Sequence, residues 1–210
     1  MTLPTIIALS LSAFSIALAS TANFAPATQA APAKASSAST YEIDDTHSMA
    51  LFRVQHMGAG AFWGMFNDVK GTVTYAAGSE LSFDVTIDAQ SVDSNNAKLD
   101  QHLKSPDFFN TKEFPAMTFK RTSSKMVSEG KWEVTGDLTI RGKSKSVTVP
   151  IECLGEVDMG MGKRAGFEAE FTINRGDFGV NYGVEKGALS NATRVIVAIE
   201  GVANRAAAEK

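Results

Sequence analysis

The sequence has little of what marks several common protein classes. Its 210 residues include one cysteine, Cys153, so the chain forms no intrachain disulfide. Neither sign of charge dominates, since 20 Lys and Arg residues balance 23 Asp and Glu residues, and the basic residues form no stripe that nucleic acid would bind. The motifs of phosphate loops, zinc proteases, dithiol redox sites and serine hydrolases are also missing. A disulfide scaffold is excluded, and the sequence predicts neither an enzyme nor a nucleic-acid-binding protein.

Long hydrophobic runs are scarce as well. The run from Ile6 to Ala19 has the length of a signal-peptide core and is too short to span a bilayer. We therefore predict a secretory signal peptide over residues 1–30, cleaved after Ala19 or Ala30, with an uncleaved membrane anchor as the alternative. The Ala-, Ser-, Thr- and Pro-rich composition of residues 31–40 predicts a disordered linker, and residues 204–210 are expected to form a loose tail.

The folded unit, residues 41–203, alternates apolar and polar residues in about eight segments. The alternation is clearest from Leu81 to Asp88, and strands with one polar face are typical of antiparallel sheets. A sheet of this size gains from closure, which removes exposed edges, so we predict an all-β fold, an antiparallel eight-stranded β-barrel, rather than a sandwich. Glycines 58, 60 and 64 predict a break after the first strong strand, and Arg141-Gly142 predicts a hairpin turn. Pro150 predicts an edge position or a bulge.

The alternation stops at about residues 97–110. Leu99 and Leu103 lie four positions apart, which places them on one face of a short helix. Ser105 followed by Pro106 reads as a helix start, because a hydroxyl cap and a proline favour the first helical turn. One helical insert in an all-β chain predicts a lid lying against the end of the barrel.

The three histidines and the cysteine are the remaining candidates for chemistry. His47 and His56 are expected on opposite faces of one strand, so a three-histidine zinc site with His102 is only an alternative to three hydrogen-bonding residues. Cys153 shares the alternation of Val149 and Ile151, which predicts a buried, inert thiol. We predict no metal site, no catalytic residue and no cofactor.

Five segments in a fixed order resemble one known family. They are DDTHSMALFRVQHMG, GMFNDVKGTVTY, LDQHLKSPDFFNTKEFPAMTFK, GDLTIRGKSKSVTVP and GFEAEFTINRGDFGVNYG, and they extend over the whole folded unit. The chain resembles the YceI-like, polyisoprenoid-binding family. The resemblance implies a lipocalin-like barrel that holds a long isoprenoid, such as a polyprenyl phosphate or a quinone tail, in an exported and often periplasmic bacterial protein.

The resemblance also implies candidate residues. The barrel interior would contact the ligand through side chains that alternation points inward, namely Phe52, Val54, Val69, Val73, Phe83, Val85, Ile87, Phe119, Leu138, Val149, Phe171 and Ile173. The lid or mouth would comprise Leu99, His102, Leu103, Phe108, Phe109, Arg175 and Asp177. The expected partner is an isoprenoid lipid, with transient membrane contact during lipid exchange and a homodimer as further expectations.

The aromatic residues leave two interpretations of the interior open. An eight-stranded barrel is just wide enough to hold one elongated ligand, or its own side chains fill it. In the first case the protein sequesters or carries a lipid. In the second it is a solid-cored stress or interaction module beside a membrane redox protein.

Overall fold

A computed structural model describes residues 38–76, 81–160 and 162–203 of the chain. The predicted signal peptide, residues 31–37 of the predicted linker and the predicted tail lie outside the described residues. One α-helix, α1 (Ala97–Lys104), and two short 3-10 turns, Ala89–Ser91 and Arg175–Phe178, accompany the strands. The strands are β1 (Ser39–Ile43), β2 (Met49–His56), β3 (Gly60–Phe66), β4 (Val69–Tyr75), β5 (Ser82–Asp88), β6 (Val92–Asp93), β7 (Ala116–Ser128), β8 (Lys131–Ile140), β9 (Lys143–Asp158), β10 (Lys163–Asn174) and β11 (Ala192–Ala203).

Eight of these strands close into a ring. The order is β1-β4-β5-β7-β8-β9-β10-β11, and β11 pairs back onto β1, with every pairing antiparallel. The predicted all-β, eight-stranded antiparallel barrel with a short helical insert is therefore confirmed. The longest helix in the described part of the chain is α1, and its eight residues are too few to span a bilayer.

The hairpin formed by β2 and β3 extends the barrel wall at one end. Strand β11 pairs with β1 through residues 201–203 and with β2 through residues 194–198, so β1 and β2 follow one another along the same neighbour. Two details of the sequence-based prediction are wrong here. Strand β1 begins at Ser39, inside the predicted linker, and β3 forms where glycines predicted a break. Strand β3 tolerates Gly64 because the ring of Phe52, its cross-strand partner, occupies the space that a side chain would fill.

The helix of the insert begins at Ala97, as predicted, but it ends at Lys104, before the helix start that Ser105 predicted. The side chain of Asn96 caps its start by accepting a hydrogen bond from the Leu99 N–H at 3.1 Å. Ser105 is the residue after its end, with an extended backbone, because the following Pro106 disfavours helical geometry at the residue before it. Ser105 therefore stops the helix instead of starting one, and residues 105–114 continue as turns. We call residues 97–114 the insert.

The hairpin turn between β8 and β9 forms as predicted. Arg141 and Gly142 both adopt positive φ, +50° and +70°. A two-residue hairpin turn requires this backbone geometry, because it matches the right-handed twist of the two strands that the turn connects. The pairing of β9 with β10 ends where Ile151 lies opposite Ala169. Pro150 precedes Ile151 in the chain, beyond the end of this pairing, and has no N–H to donate. It therefore occupies an edge-like position on the side of β9 that faces β10.

Side chains fill one end of the barrel, which we call the filled end. A chain of edge-to-face rings crosses it, from Trp132 through Tyr75 and Phe167 to Phe83, with centroid separations of 5.6, 5.5 and 5.4 Å. Cys153 packs against this cluster but is only partly buried, which corrects the expected full burial. Burial of the hydroxyl, and to a smaller extent its hydrogen bond with Cys153, raises the pKa of Tyr75 to about 12. The packed rings of the filled end hold the surrounding strands together, and they occupy only this end of the barrel interior.

Candidate functional site

Above the filled end the barrel encloses a cavity of about 790 Å³. This volume lies in the upper part of the range of roughly 300–1,000 Å³ that is usual for small-molecule sites. Its wall is almost entirely aliphatic and aromatic, contributed by strands on all sides, by the insert and by the loop after the turn Arg175–Phe178. An interior of this volume is not the filled core that a solid-cored module requires.

Most of the predicted interior residues line this cavity. They are Phe52, Val54, Phe83, Val85, Ile87, Phe119, Leu138, Val149, Phe171 and Ile173. Val69 and Val73 do not, since both are 0% exposed within a packed cluster of core residues. Alternation along a strand identifies the face on which a residue lies, but not whether neighbouring side chains cover it. The contact of the lining residues with a ligand stays a prediction.

Several lining residues were missing from the sequence-based set. The alternation of β11 points Val195, Val197 and Ile199 inward, and the same signal was available for Phe62 and Phe66 once β3 is a strand. The loop residues had no such signal, because irregular backbone has no periodicity from which a face can be inferred. These are Val180, Tyr182, Ala188 and Leu189.

Two glycines bring aromatic rings close to the cavity wall. A Cβ atom on Gly64 would lie 2.4 Å from the Cζ atom of Phe52, and one on Gly136 would lie 2.6 Å from that of Phe119. Both rings line the cavity, so each lies over the position where its glycine lacks a side chain. The glycines thereby allow the rings to lie close to the wall and leave the centre of the barrel open.

The cavity reaches the surface beside the tip of the β2–β3 hairpin. His56, Met57 and Tyr182 line it there, and Met57 and Tyr182 are 66% and 48% exposed. We call the segments 56–61 and 182–189 the mouth. They are joined by the Met57 N–H, which donates to the carbonyl of Ala188 at 2.8 Å, so the rim of the opening is an ordered structure.

The insert covers the cavity next to the mouth, where a lid was predicted. Leu99, Leu103 and Phe109 contribute to the cavity wall, and the Phe109 ring packs edge-on against Phe66 with centroids 5.1 Å apart. Phe108 also lines the cavity. These contacts give the insert an apolar inner surface that continues the wall of the barrel.

Three rings connect the insert with the mouth. The ring of His102 lies edge-on to those of Phe108 and Tyr182, with centroids 5.0 and 5.1 Å apart, and Phe108 and Tyr182 are themselves separated by 5.0 Å. His102 Nε2 also lies 2.9 Å from Oδ2 of Asp107, which holds the imidazole in place. Since both His102 and Phe108 belong to the insert, Tyr182 is the contact that the mouth provides.

Arg175 is a buried cation on the cavity wall. It is 6% exposed, and its guanidinium donates to the backbone carbonyls of Val180, Tyr182 and Ser190 at 2.8–2.9 Å. Burial lowers the pKa of Arg175, and no ion pair found among the described residues involves it. Arg175 thus organises the loop of the mouth and leaves a positive charge beside an apolar cavity.

Asp177 does not belong to the mouth, which corrects its prediction. It lines a separate pocket of about 260 Å³ on the outside of the barrel, with Lys145 and Asn174. The 3-10 turn Arg175–Phe178 separates the two sides, because its Arg175 and Phe178 side chains are buried while that of Asp177 is exposed.

The histidines do not assemble into a metal site. His56 and His102 line the cavity, while His47 precedes the opposite end of β2. His47 instead lies near Asp44 and Glu200, with potential ligand atoms within 4.8 Å of one another. Arg164 donates to both carboxylates, so a cation already occupies the space between them. Hydrogen bonds from His47 and Arg164 lower the pKa of Asp44.

Comparison with known proteins places this architecture. Residues 41–202 match the model of the YceI-like domain. Protein YceI of Escherichia coli O157:H7 is 39% identical over 170 residues, which cover 79% of this chain and 87% of that protein. The crystal structure of the YceI protein of Campylobacter jejuni superimposes with a TM-score of 0.66 at 27% identity, covering 72% of this chain and 90% of the other.

A more distant structure shares the fold alone. It is a domain from Saccharophagus degradans described as polyisoprenoid-binding and as implicated in plant cell wall breakdown. It aligns at 16% identity with a TM-score of 0.62, covering 78% of this chain and 98% of that domain. Together, the extent of the domain match and the identity to Protein YceI establish that this chain belongs to the YceI-like family.

Proposed function

We propose that this protein is an exported, non-enzymatic binding protein that holds the chain of an isoprenoid lipid in its barrel, either to sequester it or to carry it. The observation that carries the proposal is the apolar cavity of about 790 Å³, which side chains close at one end and which opens at the other. The polyisoprenoid-binding description of the Saccharophagus degradans domain and the resemblance of the five sequence segments support the same ligand class.

The cavity suits a molecule with a long hydrocarbon chain and a small polar end. Each CH₂ group transferred from water into the wall contributes about 0.8 kcal/mol, so several isoprene units supply a large driving force. A polar head group buried without hydrogen-bond partners costs about 2–7 kcal/mol and therefore stays at the mouth. The uncompensated charge of Arg175 lies close by and favours an anionic or electron-rich head, as in a polyprenyl phosphate or a quinone.

Export is part of the proposal. The uncharged and largely apolar residues 1–30 would direct the chain across the inner membrane into the periplasm. A lipid with so little solubility in water must be collected from and returned to a membrane, so the mouth would contact a bilayer transiently during exchange. The bound isoprenoid is the only small molecule that the function requires.

Two neighbouring residues of β11 test the proposal with a matched control. Val195 lines the cavity, whereas the next residue, Ile196, is not part of its wall. The full-length chain is expressed in a bacterium, purified from the periplasm and analysed by native mass spectrometry before and after denaturation. Wild type and Ile196→Trp should release an isoprenoid, and Val195→Trp should carry much less, because its indole projects into the space that the lipid chain occupies.

Uptake from vesicles gives an independent measurement. Each variant is incubated with liposomes that contain a ubiquinone or a polyprenyl phosphate and is then separated from them for lipid extraction. Wild-type protein that is free of lipid after both purification and incubation would contradict the proposal. Equal loading of the Val195→Trp and Ile196→Trp variants would contradict the assignment of the cavity as the site.

A further inference from the structure

The inner end of the cavity terminates on two aromatic rings. Phe83 and Phe167 are 4% and 1% exposed, both line the cavity, and their rings meet edge to face with centroids 5.4 Å apart. Tyr75 and Trp132 lie behind them in the filled end and are not part of the cavity wall. We call Phe83 and Phe167 the floor.

The floor has rigid support. The Phe167 ring packs edge-on against Tyr75 at 5.5 Å, and Tyr75 packs against Trp132 at 5.6 Å. Protein interiors of this kind are close-packed, so the rings have no free volume into which they could retreat when a chain presses on them. The depth of the cavity is therefore a fixed property of the fold rather than an adjustable one.

The two ends of the cavity differ in chemistry. His56, His102 and Tyr182 provide polar groups at or beside the mouth, whereas the floor presents only aromatic carbon. A phosphate or quinone head placed at the floor would lose its hydrogen bonds to water without replacement. An isoprenoid must therefore enter with its hydrocarbon end first and keep its head at the mouth.

We infer that Phe83 and Phe167 set the longest isoprenoid chain that the protein binds fully, an inference that rests on the proposed function. A head held at the mouth and a chain end stopped at the floor define a fixed length between them. A longer chain leaves hydrocarbon in water at the mouth, and a shorter chain leaves an empty volume above the floor. Both lower the affinity, so the affinity peaks at one number of isoprene units.

The test uses ubiquinones that share one head group and differ only in their number of isoprene units. Phe83→Leu and Phe167→Leu deepen the cavity, and Phe83→Trp makes it shallower. Trp132→Phe is the control, because it removes a fully buried ring area in the same stack without changing the cavity wall. Dissociation constants are measured for each full-length variant and homologue after delipidation, and thermal unfolding confirms that each variant is folded.

Both leucine variants should favour longer homologues. The ratio of affinities for the next longer homologue over the wild-type optimum should rise about fourfold, equivalent to about 0.8 kcal/mol, because leucine frees about the volume of one CH₂ group. Phe83→Trp should lower this ratio, and Trp132→Phe should leave it unchanged. The two leucine variants are independent, so if either fails to fold, the other and Phe83→Trp decide the question.

The possible failures are distinguishable. If wild type binds no homologue, the proposed function is wrong. If wild type binds the series but the affinity ratio is the same in all floor variants, only the inference about Phe83 and Phe167 is wrong. If Trp132→Phe raises the ratio as far as the leucine variants do, general loosening of the filled end explains the change and the floor does not set the length.

Discussion

Replacing Gly64 by alanine tests whether the width of the cavity depends on the close approach of Phe52 to this glycine. An ideal Cβ at position 64 would lie 2.4 Å from Phe52 Cζ and 2.8 Å from its Cε1, whereas ordinary contacts begin at 3.4 Å. The ring must therefore move by about 1 Å. Phe62, Phe66 and Phe109 have ring centroids within 6.3 Å of the Phe52 ring, so the displacement is directed toward the open cavity.

The expected cost follows from this geometry. Overpacking of a core by one methyl group typically costs about 1–3 kcal/mol, because side chains leave their preferred rotamers. For a protein of this size each kcal/mol lowers the melting temperature by about 2–4 °C. We expect Gly64→Ala to melt about 5 °C lower than wild type and to bind a ubiquinone about tenfold more weakly, because the displaced ring narrows the site.

The same strand supplies the control. A Cβ on Gly60 would meet no atom within 4 Å, so Gly60→Ala should change both stability and affinity little. Adding Phe52→Leu to Gly64→Ala should recover much of the lost affinity, since the smaller side chain leaves room for the methyl group. Thermal unfolding and ubiquinone titration of the four proteins measure these effects. A Gly64→Ala variant that behaves like Gly60→Ala would refute the packing of Phe52 over the glycine.

Three further predictions concern Arg175, Asp44 and Tyr182. Arg175→Lys should lower the free energy of unfolding by about 3 kcal/mol and accelerate hydrogen exchange in residues 180–190, because a lysine cannot donate to the same set of buried carbonyls. Urea denaturation and hydrogen-exchange mass spectrometry measure these effects, and unchanged exchange would contradict the role of Arg175 in holding this loop. Because the pKa of Asp44 is lowered in the folded protein, its carboxylate stabilises the fold at pH values above the ordinary pKa of 3.8, and this contribution is lost as the pH falls through the lower folded pKa. Denaturation curves should therefore show that wild type loses stability more steeply below about pH 4 than Asp44→Asn does, and parallel pH profiles would count against this. Tyr182→Ala should speed hydrogen exchange in the insert, residues 97–114, and leave that of β8 unchanged, because it removes the contact of the mouth with two rings of the insert. Exchange in the insert at the wild-type rate would show that other contacts hold it.

The family membership and the barrel were accessible from the sequence, but the site was accessible only in part. Alternation placed Phe83, Val85 and Ile87 on the inner face, and these residues line the cavity. The same reasoning applied to Val69 and Val73 selected residues that neighbouring core side chains cover completely. The error is physical, because a two-residue period encodes which side of a sheet a residue faces and contains no information about which side chains pack over it in a closed barrel.

Local chemistry decided some features and misled on others. The Arg141-Gly142 turn depends only on neighbouring backbone geometry, so the sequence sufficed for it. Ser105-Pro106 has the composition of a helix start, yet Asn96 had already started the helix and the proline ended it. Either assignment satisfies local preferences, and the packing of Leu99 and Leu103 against the cavity selects one of them.

By itself, the sequence determined the class of fold, the face of each regular strand and the presence of an insert, because these depend on periodicity within short segments. Only the tertiary structure decided that the interior is open above Phe83 and Phe167, that Phe52 lies over Gly64, and that Arg175 holds the loop of the mouth. Each of these features joins residues far apart in the chain or on different strands. Whether a barrel is filled or hollow depends on the sum of side-chain volumes at one level of the closed sheet, which no single segment specifies.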